Sequence, residues 1–134
     1  MRRMADYAIV NLFDFDDETR GRFPGMEGRF TRKALGSRDL GVSHWRYAPN
    51  LRTPGGGHSH REQEEVYVVV SGSGRVRLDD EVRDIRQWDV VRVAPPVVRA
   101  FEAGPEGLEL IAIGGPKPEG GDGVRSDAPW PDEG

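Results

Sequence analysis

The strongest constraint on this chain is how often its apolar stretches are interrupted. From residue 65 onward they are short and rich in β-branched residues, and turn-forming residues follow them. Residues 66–70 read Val-Tyr-Val-Val-Val and run into Ser71-Gly72-Ser73-Gly74, which reads as a turn. Residues 75–78 alternate polar and apolar, Asp79-Asp80 reads as a hairpin turn, and residues 81–85 return. Residues 89–93 stop at Ala94-Pro95-Pro96, and 97–101 and 108–113 follow. Upstream, residues 7–15, 29–35 and 42–47 are further strand candidates. In the last, Ser43, Trp45 and Tyr47 alternate with Val42, His44 and Arg46, the period of two that a strand imposes. Strands recurring at this spacing, with turn signals between them, predict an all-β sandwich or barrel. No stretch reads as a helix of three turns.

Composition narrows the function classes. A chain of 134 residues is one domain of ordinary size and can build a core without covalent staples. It contains no cysteine, which excludes disulfides, iron–sulfur clusters, thiolate zinc sites and a cysteine nucleophile. Its formal net charge of −4 makes it a poor non-specific binder of nucleic acid. The longest apolar run, residues 66–70, is far too short to span a membrane. The basic start Met1-Arg2-Arg3 leads into no apolar stretch, so no signal peptide is expected and a cytoplasmic location follows as the default.

The chain divides into three parts by composition. Residues 1–37 hold the first strands and an acidic loop with Asp14, Asp16, Asp17 and Glu18, expected to pack on the barrel formed by residues 38–113. Residues 114–134 form an acidic tail with six glycines and four prolines. Such a tail cannot bury a core of its own and reads as a mobile terminus. Trp130, between Pro129 and Pro131, is the one residue in it suited to dock on a barrel, its own or a partner's.

The only histidines are His44, His58 and His60. In a strand, residues two apart share a face, so His58 and His60 can converge on one cation. Glu65 lies five residues beyond His60, an odd number, and joins them only if residues 61–64 turn or bulge. Tyr67 and Val69 would then share its inward face. Two imidazoles and one carboxylate suit a divalent metal with open positions, as in non-haem iron sites.

His58-x-His60-x4-Glu65-x6-Gly72 resembles the first sequence motif of the cupin superfamily, with Arg52 where that motif begins with glycine. The run from Glu64 to Gly74 is similar to the most recognisable stretch of small single-domain cupins, and the resemblance covers roughly residues 38–114. It implies a double-stranded β-helix, the cupin jelly-roll barrel. It also implies a divalent metal held by two histidines, the glutamate and a later histidine. Laying the second cupin motif on this chain puts Trp88, Ala94, Pro96, Arg99 and Ala103 at the signature positions, so each departs from the motif. Arg99 stands where the resemblance would put the last histidine, and no histidine follows residue 60.

Arginine has no lone pair for a metal and carries a fixed charge. Pointing inward, Arg99 would neutralise Glu65 or clamp an anion, and would weaken binding of a second cation nearby. Phe101 shares its parity, which favours the inward orientation. His44 is an alternative fourth ligand, but parity alone leaves open which face of its strand looks inward. Trp45, Tyr47, Tyr67 and Trp88 are candidates for stacking on a ligand. The expectation is therefore a barrel binding a small, anionic molecule in a pocket with Arg99, Tyr67, Phe101 and His44. A divalent metal (iron, manganese, nickel or zinc) would be weakly held or absent at His58, His60 and Glu65. The alternative is a metal-dependent enzyme, an oxygenase or an isomerase or lyase, using those three residues. A homodimer is the expected assembly, since exposed strand edges favour pairing.

Overall fold

A computed structural model describes residues 6–133; the basic start Met1–Arg3 lies outside them. Eight strands form one curled antiparallel sheet: β1 (Met26–Phe30), β2 (Gly41–Tyr47), β3 (His58–His60), β4 (Glu65–Leu78), β5 (Glu81–Arg86), β6 (Val90–Val93), β7 (Arg99–Gly114) and β8 (Gly123–Arg125). The only α-helix among the described residues is α1 (Arg32–Leu35), a single turn.

Two long strands make the barrel. β4 and β7 pair along nearly their whole length, from Glu65 opposite Gly114 to Leu78 opposite Arg99. Each then gives its free edge to two different partners. β4 pairs with β6 through residues 65–68 and with β5 through residues 73–78. β7 pairs with β2 through residues 108–114, and its first residue, Arg99, lies opposite His58 of β3. A strand that changes partners midway must bend, and the bend rolls one sheet into a closed layer pair.

The core fills the space inside. Alternate residues of each strand point inward, as the period of two requires: Tyr67, Val69 and Val76 from β4, and Phe101, Ala103, Leu108, Leu110 and Ala112 from β7 are all buried. Tyr47 joins from β2, Ile85 from β5 and Val93 from β6. The rings of Tyr67 and Phe101 lie 4.9 Å apart.

Several local expectations are corrected. Ser71-Gly72-Ser73-Gly74 is not a turn but the middle of β4, where two register shifts let the strand bend. Gly74 is there because β7 crosses so closely that a Cβ would collide with the Glu102 carbonyl. Residues 97–101 and 108–113 belong largely to one strand, β7. Residues 7–15 form no strand; Asn11 caps a single 3₁₀ turn (Leu12–Asp14) by accepting from the Phe13 N–H at 2.9 Å. Residues 29–35 are split: β1 ends at Phe30 and α1 follows, terminated by Gly36 in the left-handed region at φ 66°.

The tail lies on the barrel rather than apart from it. β8 pairs with β3, and Trp130 is 2 % exposed beneath the Arg52 guanidinium, 4.3 Å from the ring centre. Asp132 accepts from Arg52 and Arg75, which also bind Glu102. Buried Arg77 donates to the carbonyls of Gly56, Ala128 and Asp79, tying the tail to the glycine-rich loop. One cation–π contact and a shared carboxylate network thus hold a segment with almost no apolar surface.

Candidate metal and anion site

β3 is short but held on both edges. His58 lies opposite Arg99 of β7 and Arg125 of β8, while His60 lies opposite Gly123. His58 and His60 share a face, with ring centres 5.0 Å apart. The chain bends at residues 61 and 62 and Glu65 opens β4, which brings its carboxylate back to the imidazoles. His60 Nε2 is 3.0 Å and His58 Nε2 3.7 Å from Glu65 Oε1. Available ligand atoms of the three residues all lie within 4.8 Å of one another.

Arg99 is fully buried and points at the same carboxylate, with Nη1 3.5 Å from Glu65 Oε1. Its Nη2 donates to the Ala94 carbonyl at 3.0 Å, while Nε and Nη1 make no hydrogen bond. Tyr67 donates to Glu65 Oε1 at 2.7 Å. Burial alone would raise the Glu65 carboxyl. The contacts of His58 and Tyr67 and the charges of His60 and Arg99 outweigh it and hold the group down at about 2. Burial, with the Glu65 carboxylate beside it, pushes the Tyr67 phenol well above its ordinary value, so Tyr67 remains a donor.

These residues line a cavity of about 1060 Å³. Tyr67, Arg99 and Phe101 are on its wall, as are Trp45 and Tyr47. Two expected pocket residues are not. His44 is buried, but on the other face of β2, where parity groups it with Arg46. Its Nε2 contacts Glu109, which also accepts from Arg46, and Phe13 covers its ring edge-on. It is therefore no fourth ligand. Trp88 is 68 % exposed, on a turn where its own φ is 73°.

One residue of the site was missed in the sequence. Asp122, in the tail just before β8, is buried and accepts from the N–H groups of Glu62 and Gln63 at 2.7 and 2.8 Å. Its other oxygen is 2.8 Å from His60 Nδ1. The acidic, glycine-rich surroundings of Asp122 gave no signal, because nothing in spacing links residue 122 to residue 60.

The donor set fits a divalent cation. His60 Nε2 is buried and makes no hydrogen bond, although Glu65 Oε1 lies 3.0 Å away, so both atoms are available to a cation between the three side chains. Two imidazole nitrogens and a carboxylate oxygen suit a borderline transition metal.

A curled sheet of eight antiparallel strands with polar ligands inside defines a jelly-roll barrel. The chain has the cupin fold, a double-stranded β-helix. A cupin protein of Bacteroides fragilis matches with TM-score 0.68 at 21 % identity, over 84 % of this chain and 86 % of that one. A sugar phosphate isomerase from a cupin superfamily of Silicibacter pomeroyi matches with TM-score 0.65 at 18 % identity, over 85 % and 73 %. A mutant oxalate decarboxylase of Bacillus subtilis matches with TM-score 0.68 at 19 % identity, over 80 % of this chain but only 29 % of that enzyme. No protein-family model and no curated protein matches the sequence. At these identities the likenesses show the fold alone. No described helix is long and apolar enough to cross a membrane.

Proposed function

We propose that the barrel binds a small anionic molecule at Arg99, beside a divalent cation held by His58, His60 and Glu65. The observation that carries this reading is the state of Arg99. It is wholly buried on the wall of the cavity, and two of its nitrogens have no hydrogen-bond partner. Buried donors are normally satisfied, and a guanidinium fork matches a carboxylate or phosphate group. The names of two structural neighbours, oxalate decarboxylase and sugar phosphate isomerase, refer to small anions of this kind.

The two cations explain each other. Like charges about 4 Å apart repel by about 4 kcal/mol at an effective dielectric near 20, so Arg99 weakens the metal when no anion is present. A ligand bearing negative charge removes that repulsion, and anion and metal therefore strengthen one another by the same factor. A divalent cation bound there supplies a Lewis acid next to the anion. The residues of the chain do the rest. Arg99 orients the acidic group, Tyr67 keeps Glu65 Oε1 in place, and the aromatic wall excludes water.

The test is thermal melting with malonate, cobalt(II) and both together. Both together are expected to raise the midpoint by more than the sum of their separate effects, and Arg99→Met to abolish the malonate response. No shift with malonate, with other carboxylates or with phosphate monoesters, at any cobalt concentration, would overturn the reading.

A further inference from the structure

The C-terminal tail carries a residue whose place the proposed binding function does not by itself require. Asp122 reaches the candidate ligands from 57 residues beyond Glu65, and it does two things there. Its Oδ2 accepts from the N–H groups of Glu62 and Gln63, the turn that joins β3 to β4. Its Oδ1 is 2.8 Å from His60 Nδ1. The Asp122 carbonyl also accepts from the Arg61 N–H at 3.2 Å, and the Gln63 side chain donates to Gly115 at 3.1 Å, so the whole turn is tied to the tail.

A carboxylate can only accept. The hydrogen of the His60–Asp122 contact therefore belongs to Nδ1, and Nε2 is the nitrogen on the Glu65 side of the ring. That same Nε2 is buried without a hydrogen-bond partner. Lacking Asp122, the imidazole is free to move its proton to Nε2 or to turn over, and either change removes the ligand.

We infer that Asp122 is the positioning residue of the metal site: it fixes the tautomer and orientation of His60 and the turn that brings Glu65 beside it. The C-terminal segment thereby completes a site whose ligands all come from the barrel. This rests on the metal-binding half of the proposed function.

Asp122→Asn isolates the effect. The asparagine carbonyl can still accept from Glu62 and Gln63, which keeps the turn. Its amide then faces His60 Nδ1 as a donor and drives the proton to Nε2. Cobalt(II) titration followed by visible absorption, in buffer without urea where far-UV circular dichroism shows both metal-free proteins folded, is expected to show about 10- to 100-fold weaker binding than wild type, with an altered band. His60→Ala serves as the reference for a lost ligand. Equal cobalt affinity and an identical spectrum in wild type and Asp122→Asn would overturn the role of Asp122 alone. A wild-type protein that binds no cobalt would overturn the metal reading and this inference with it. The wild-type protein loaded with zinc gives a second answer should the variant fail to fold. Long-range proton–nitrogen NMR is expected to show His60 coordinated through Nε2 and protonated at Nδ1, and coordination through Nδ1 would overturn the inference.

Discussion

Consider what happens when the Glu65–Arg99 pair is broken from either side. The charges are 3.5 Å apart, with Arg99 fully buried and Glu65 about one-seventh exposed (14 %). At an effective dielectric near 20 the bare attraction is about 5 kcal/mol. Desolvation cancels part of that, and the net value is visible in Glu65. Its carboxyl falls from 4.5 to about 2 against the opposing effect of burial, which corresponds to about 3 kcal/mol in favour of the charged form. Arg99 supplies only a share, since His58, Tyr67 and His60 also contribute.

Glu65→Gln keeps an acceptor for Tyr67 but leaves Arg99 buried with only the Ala94 carbonyl, and is expected to cost about 3 kcal/mol. Arg99→Met fills similar space and leaves Glu65 its tyrosine and histidines, so its cost is expected to be lower, about 1–2 kcal/mol. The double variant has no charge to strand and is expected to recover about 1–3 kcal/mol relative to the sum of the singles. Urea unfolding in the presence of chelator measures all four proteins. The pair also sets an acid response. Glu65 has a folded pKa below its unfolded value, so its stabilisation is complete above about 4.5 and is lost as pH falls toward about 2. That part of the acid response should vanish in Glu65→Gln. Single variants that simply add, or a Glu65→Gln protein as stable as wild type, would refute the reasoning.

Other outcomes follow from neighbouring features. Gly57 has φ 99° and sits so close to β7 that a Cβ would collide with the Arg99 carbonyl; Gly57→Ala should cost about 2 kcal/mol or more and displace His58, read by urea unfolding and cobalt binding. Arg77→Met removes the donor shared by Gly56 and Ala128; the tail should become sensitive to limited proteolysis and tryptophan emission should shift to the red, and an unchanged digestion pattern would count against the anchoring role. Asp17 accepts from the Gly28 and Thr19 N–H groups and the Thr19 hydroxyl, and these bonds hold it at about 2 against an ordinary 3.8. Its stabilisation is therefore present above about 3.8 and lost as pH falls toward about 2, and Asp17→Asn should be less stable than wild type at neutral pH and converge with it in acid.

The sequence was most readable where one local rule decided the outcome. The β-branched runs and the Asp79-Asp80 hairpin named strands because pairing and burial act on residues a few positions apart. His58, His60 and Glu65 could be grouped because a parity argument demanded a bend between them, and the chain bends at residues 61 and 62. The glycines of 71–74 misled because glycine serves both turns and close strand crossings, and only the position of β7 tells them apart. His44 stayed open because alternation gives two faces without saying which is inward. The tail was the largest miss. Its anchors are Arg77, Arg52, Arg75 and the Asp122–His60 contact, each joining residues far apart in the chain through single polar groups. Composition offers only Trp130 as a reason to dock, and that tryptophan is indeed buried on the barrel, while the polar anchors around it leave no trace in composition.

The pairing order of the sheet also governs how the molecule is made. The β4–β5 hairpin closes across two residues, between Leu78 and Glu81, and is the most local contact in the barrel. β2 must instead meet β7 between Gly41 and Gly114, and β3 must meet β8 between His58 and Arg125. Each such closure costs chain entropy before any packing is gained, which places the fold among slow, millisecond-to-second folders. Glu65 begins the strand that carries this local hairpin, whereas His60 is held by the Pro95 carbonyl and lies opposite Gly123 of β8, the last strand. The proposed site thus depends on a contact that closes over one of the longer separations in the chain, and a chain whose tail had not yet docked would lack the Asp122 partner of His60.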